Sequence, residues 1–206
     1  METGMLGSGA LADVAGPFKD FAEKLGSSEG PMWLSAFKRF LRKENPWELK
    51  LLRRMSLIIG GVSAAGLSKH LKDGGDEVSQ WACDIMSKNT FTTLAEPTMI
   101  EIGWITVQDL GFNTEPTTTE LFARIKEVGG LCPAEVGPHL KLLADKDQQR
   151  GTRYQVAMEP ITDSDGNPRV FSVDRDDFGG RWLLAFCTNP QRRWRLDRVI
   201  VLVLRK

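Results

Sequence analysis

Cys132, Glu135 and His139 bring a thiol, a carboxylate and an imidazole into one short stretch of this 206-residue sequence. A cysteine nucleophile needs a base within hydrogen-bond reach. Seven residues of continuous helix would hold Cys132 and His139 about 10 Å apart between Cα atoms, beyond that reach. Pro138 would bend or end such a helix, so the plainer expectation is a buried cysteine and a surface or capping histidine. His70 is the only other histidine, which leaves Ser-His-Asp chemistry few bases.

Carboxylates suggest a second chemistry. Asp163 and Asp165 begin like an EF-hand loop, but Gly166 arrives two positions early and the closing glutamate is missing. With Asp174, Asp176 and Asp177 they make two neighbouring turns acidic. Asp163, Asp165, Asp174 and Asp176 are the ligands that a small divalent-metal-dependent hydrolase or nuclease would use. Asp-Gly turns also arise for backbone reasons alone.

Two glycine clusters have the outline of phosphate loops. Gly7-Ser8-Gly9-Ala10-Leu11-Ala12 fits GxGxxA, yet nothing before it can supply the strand that the fingerprint needs. Gly61 to Ser68 resembles a P-loop but has Leu67 where the phosphate-binding lysine belongs.

Cationic side chains gather in two places. Lys38, Arg39, Arg42 and Lys43 lie off the apolar stripe of one segment, and Lys50, Arg53 and Arg54 extend the run. Arg192, Arg193 and Arg195 surround Trp194, with Arg198, Arg205 and Lys206 beyond. Basic and aromatic groups together suit phosphate contact and base stacking. Nucleic acid is therefore the first expected partner and another protein the second. The plain alternative is a solvated helix face and a polar loop. The leading reading is a soluble, non-catalytic binding module that needs no cofactor.

Composition excludes several classes. Lys plus Arg and Asp plus Glu number 27 each, so no global charge pulls the chain toward nucleic acid or lipid. Cys83, Cys132 and Cys187 are widely spaced and odd in number, which argues for a reducing, cytoplasmic setting. The apolar run from Met55 to Leu67 is too short and too interrupted to span a bilayer, and no signal peptide is legible. No membrane partner is expected.

Several strings carry a resemblance. They are Phe40-Leu41-Arg42-Lys43-Glu44-Asn45-Pro46-Trp47, Ser79 to Ile85, Leu131 to Pro138, Ala157 to Gly166 and Arg181 to Leu184. Together they resemble an uncharacterised family of hypothetical proteins from candidate-phyla (Parcubacteria-like) bacteria. The likeness spans residues 31 to 206, and Leu131-Cys132-Pro133-Ala134-Glu135-Val136-Gly137-Pro138 is its most specific part. It departs from the family between Trp47 and Leu71, which is richer here in apolar residues and glycine. The resemblance implies a shared fold and a bacterial cytoplasmic setting, and it carries no activity and no site residues.

The elements that must position these groups follow from periodicity. Residues 1 to 30 read as a flexible segment with a short amphipathic stretch from Pro17 to Leu25. Pro31 opens a basic amphipathic helix with Trp33, Leu34, Phe37, Phe40 and Leu41 on one face, ended by Asn45-Pro46. Residues 47 to 206 form the α+β domain. Trp47 to Gly61 is ambiguous, with Ser56 to Ile59 strand-like. Helices are expected over Val62–Lys72 and Asp76–Lys88, the second capped by Asp76. A strand follows from Met99 to Val107, then a helix behind the Thr117–Glu120 capping box and a short one from Pro133. Tyr154–Met158, Arg169–Asp174, Trp182–Cys187 and Val199–Leu204 read as strands, the last two apolar on both faces and hence central. The expected architecture is a helical layer on a four- to five-stranded, mainly antiparallel sheet with a C-terminal β meander.

Overall fold

The computed structural model describes residues 8–42, 49–74, 77–143 and 148–205. The chain divides into two compact units, residues 1–48 and 49–206. In the first, α1 (Ser8–Leu25) and α2 (Gly30–Leu41) form a helical hairpin, so the segment expected to be flexible is mostly helix. Pro17 forfeits one ladder bond midway through α1. Pro31 sits at the start of α2, where its missing N–H is harmless. The expected stop at Asn45-Pro46 lies outside the described residues.

The second unit is α+β, but its sheet is larger and more mixed than expected. Among the described residues it has eight strands: β1 (Arg53–Ile59), β2 (Glu77–Val78), β3 (Thr98–Thr106), β4 (Thr152–Val156), β5 (Ile161–Thr162), β6 (Pro168–Arg175), β7 (Arg181–Cys187) and β8 (Val199–Val203). Seven form a continuous path in the order β1-β3-β8-β4-β6-β7-β2, and β5 pairs with β6. The β4–β8 and β2–β7 pairs are parallel and the others antiparallel.

The meander must therefore be redrawn. The β6–β7 hairpin is as expected, but the chain then leaves β7 and crosses back to place β8 between β3 and β4. Its residues Val199, Val201 and Val203 face one apolar layer, and Ile200 and Leu202 face the other. β7 is not central: only the two-residue β2 lies beyond it, and most of its side chains are half-buried.

Helices α3 (Ala64–Asp73), α4 (Gln80–Met86) and α6 (Val136–Leu142) pack on one sheet face around Trp104, Phe171 and Leu183. Gly137 lets α6 reach β6, since a Cβ there would meet the Phe171 ring at 2.6 Å. Helix α5 (Thr118–Val128) covers the other face through Leu121 and Ile125, which join Ile105, Ile200 and Leu202. The capping box starts α5 as expected: Thr117 Oγ1 accepts from the Glu120 N–H, and Glu120 returns the bond to the Thr117 N–H at 2.7 Å. The cap of α4 is Ser79, not Asp76, because Glu77 and Val78 pair with β7 and the Ser79 N–H donates to the Leu183 carbonyl. Among the described residues no helix is long and apolar enough to cross a membrane.

Candidate functional site

The thiol, carboxylate and imidazole of the Cys132 segment do not assemble a nucleophile. Cys132 precedes α6, is buried, and directs its S–H to the Val201 carbonyl at 3.6 Å. Burial pushes its thiol far above the ordinary range, so no thiolate forms there. Glu135 is fully buried and committed elsewhere. Its carboxylate accepts the Leu94 N–H at 2.8 Å and the Gly60 N–H at 3.0 Å, and it lies 3.4 Å from His139 Nε2. Burial lowers the His139 pKa although Glu135 pulls the other way, so the imidazole is held neutral. Pro138 falls in the first turn of α6 and does not end it.

In the second glycine cluster, Gly61 has positive φ (72°) and donates its N–H to the Leu94 carbonyl at 3.0 Å, and Ser63 caps α3 by accepting the Gly66 N–H at 3.1 Å. The adjoining Gly60 (φ 84°) gives its N–H to Glu135. The GxGxxA cluster begins outside the described residues, and its remainder opens α1.

The four metal candidates are not brought together. Asp163 is buried at the β5–β6 turn, where Oδ1 accepts the Asp165 and Asn167 N–H groups at 2.9 and 2.8 Å. Its other oxygen takes the Arg169 guanidinium, which also lies over the Trp81 ring at 4.4 Å. Burial raises its pKa, but Arg169 and the two amides outweigh that and hold it below the usual range. Asp165 is exposed beside Ser164, whose N–H and hydroxyl both bind Asp84 on α4. Asp174 and Asp176 lie at the far end of β6, roughly 25 Å away at a strand's rise per residue. Among the described residues no group of three or more His, Cys, Asp or Glu is arranged to hold a metal ion.

The basic segments are placed differently from one another. Lys38 and Arg42 are exposed on the hairpin unit, and Arg39 lies within α2. Lys43 lies outside the described residues. In the second unit Trp194 is buried, not offered for stacking. Its ring packs against Phe186 and Phe122 with centroids 5.2 and 6.4 Å away, and Nε1 donates to Thr118 Oγ1 at 2.9 Å. That anchor fixes its neighbours outward. Arg192 lies over Phe186 at 4.3 Å, Arg193 donates to the Glu115 carbonyl at 2.7 Å, and Arg195 forms an exposed pair with Asp197 at 2.9 Å.

A polar row that the sequence reading missed lies across β4, β6 and β7, with Gln155, Ser172 and Asp174 buried, Trp182 and Leu184 half-buried and Arg153 exposed. These residues share one sheet face by strand alternation and register. Polar contacts link the row: Gln155 Nε2 donates to Ser172 Oγ at 3.3 Å, Ser172 donates to Asp174, and Arg153 Nε lies 3.1 Å from Asp174 Oδ2. Burial raises the Asp174 pKa against the opposing pull of Ser172, Arg153 and Arg198.

Two adjoining clefts open over this row and share Gly151 and Arg153. One, of about 390 Å³, is lined by Asp174, Asp176, Asp177 and Trp182. The other, of about 350 Å³, is lined by Arg195, Asp197 and Arg198. Phe178, at the tip of the β6–β7 turn between Asp177 and Gly179, is 95% exposed. Asp176 shapes that turn: burial would raise its pKa, but the Gly180 N–H at 2.7 Å and Trp182 Nε1 at 3.4 Å keep it low. Charges of both signs line each cleft: Arg153 and Arg175 join the carboxylates and the indole of the first, and Asp197 joins the guanidinium groups of the second, so acid predominates in one and base in the other. A further cleft of about 380 Å³ between α3 and α4 is mostly apolar and draws only Lys72, Cys83 and two serines to its walls.

The signal available in sequence was the alternation of polar residues, Gln155, Ser172 and Asp174, within strands that are otherwise apolar. No family model, no curated protein and no solved structure matches this chain.

Proposed function

We propose that the second unit is a non-catalytic binding module whose two adjoining clefts take single-stranded nucleic acid. The observation that supports this most directly is the convergence of Arg153, Arg195 and Arg198 on one cleft, next to a cleft walled by Trp182. Guanidinium groups on one side suit phosphates, and an indole with an exposed phenylalanine suits unstacked bases. The carboxylates orient such a strand. Asp174, Asp176 and Asp177 repel phosphates and accept hydrogen bonds from base amines, so the backbone runs along the arginines and the bases turn toward Trp182.

The test is fluorescence anisotropy with short labelled oligonucleotides of random sequence, titrated between ~50 and ~200 mM salt. Three phosphate contacts give a log–log slope of roughly −2 for a single strand. Binding with no salt dependence, or no binding at the lowest salt, removes the proposal.

A further inference from the structure

The hairpin unit carries an apolar stripe that its two helices do not cover. In α1, Val14, Phe18, Phe21 and Leu25 recur at spacings of four, three and four, which sets them along one side of the helix. In α2, Trp33, Leu34, Phe37, Phe40 and Leu41 make a matching side. Within the hairpin, Phe21 meets Phe37 with centroids 4.7 Å apart, and Lys24 lies over Trp33 at 4.2 Å. Those contacts leave Phe18, Phe40 and Leu41 at 62%, 63% and 64% exposure.

We propose that this stripe is covered by the same hairpin of a second copy of the chain, the two hairpins forming a four-helix assembly. Area is the first argument. The exposed parts of Val14, Phe18, Leu25, Leu34, Phe40 and Leu41 amount to roughly 500 Å² at about 170 Å² per large apolar side chain. Two copies facing each other therefore bury about 1,000 Å², the size at which specific association begins. Two helices alone bury too little to be stable in water, whereas four close a core.

Charge is the second argument. Helix α1 carries Asp13, Asp20 and Glu23 against Lys19 and Lys24, for a net of −1. From Gly30 to Arg42 there are Lys38, Arg39 and Arg42 and no acid, for a net of +3. Laying α1 of one copy on α2 of the other brings together helices of opposite net charge. An anionic vesicle would be drawn by α2 alone and opposed by α1, and the experiment tests that occupant directly.

The experiment is sedimentation velocity of the full chain over a range of concentrations. The expected result is a species of twice the 23.0 kDa chain mass that dissociates on dilution. The double variant Phe18→Ser/Phe40→Ser is expected to be monomeric with an unchanged circular dichroism spectrum, while Ser35→Lys, off the stripe, stays dimeric. A wild-type monomer at ~100 µM overturns the proposal. So does a dimer that survives the double substitution, or a monomer that sediments with vesicles of phosphatidylglycerol and phosphatidylcholine. If the double variant loses helix, Phe40→Ala decides: association weakened at least tenfold supports the interface, and an unchanged constant refutes it.

Discussion

Two acidic turns bracket β6, and both join Asp residues to glycine. The earlier one, Asp163 to Asn167, is latched down: Asp163 holds Arg169, Arg169 lies over Trp81, and Ser164 docks on Asp84 with Lys88 closing the group at 2.6 Å. The later one, Asp176 to Gly180, is bonded within its own hairpin and lifts Phe178 into solvent. The difference comes from what lies beside each turn. Helix α4 comes against the first through Asp84 and Ser164, whereas among the described residues no helix bonds to the second. Acidic composition alone therefore does not identify a site. What separates the turns is whether their polar groups already have partners.

The comparison can be broken most sharply at Arg169. Arg169→Ala strips a buried carboxylate of its cation and is expected to lower unfolding stability by about 3 kcal/mol in urea titrations. Oligonucleotide affinity, measured well below the unfolding transition, is expected to be unchanged. A large affinity loss would make the first turn part of the site.

Phe178→Ala tests the opposite claim. Its stability is expected to stay within ~0.5 kcal/mol of the parent. Its binding is expected to weaken by about 1–3 kcal/mol, the usual worth of one stacked base. Arg195→Ala follows with a smaller effect, a salt slope shallower by about 0.7 in single-strand titrations.

Asp163 in the first turn and Asp174 on β6 should also differ in the sign of their pH response. Asp163 is held low, so its contribution to stability is present above the ordinary carboxylate pKa and is lost as pH falls through its depressed value. Asp174 is raised, so its contribution is present below the ordinary pKa and is lost as pH rises through its elevated value. Asp163→Asn should destabilise at neutral pH and matter least in strong acid, while Asp174→Asn should stabilise at neutral pH. Melting curves from acid to neutrality check both, and matching slopes would erase the distinction. Smallest of all, Mg²⁺, Mn²⁺ or Ca²⁺ is expected to leave the melting temperature of the parent unchanged, since the Asp163 and Asp176 carboxylates are already occupied.

Locally encoded features were legible in the sequence. The Thr117–Glu120 box, the Pro31 start, the alternation of β3 and the Asp-Gly turns each depend on neighbours a few residues apart. What escaped depends on distant partners. Ser79 displaces Asp76 as a cap because Val78 pairs with Leu183, and Trp194 is buried because Thr118 waits 76 residues away. Glu135 read as one member of a local trio, but its acceptors are filled by Gly60 and Leu94. The polar row was hidden because its members meet only through the pairing of β4 with β6, which sets Gln155 opposite Ser172 and Arg153 opposite Asp174.

The insertion of β8 between β3 and β4 also constrains how the molecule can be made. The strand that joins β3 to β4 is the last of the eight in chain order. Until Val199–Val203 emerge, β3 and β4 have unpaired edges where they will later be joined, and the apolar layers on both faces lack their shared centre. The sheet therefore cannot close before β8 is available, and those edges are open to association until then.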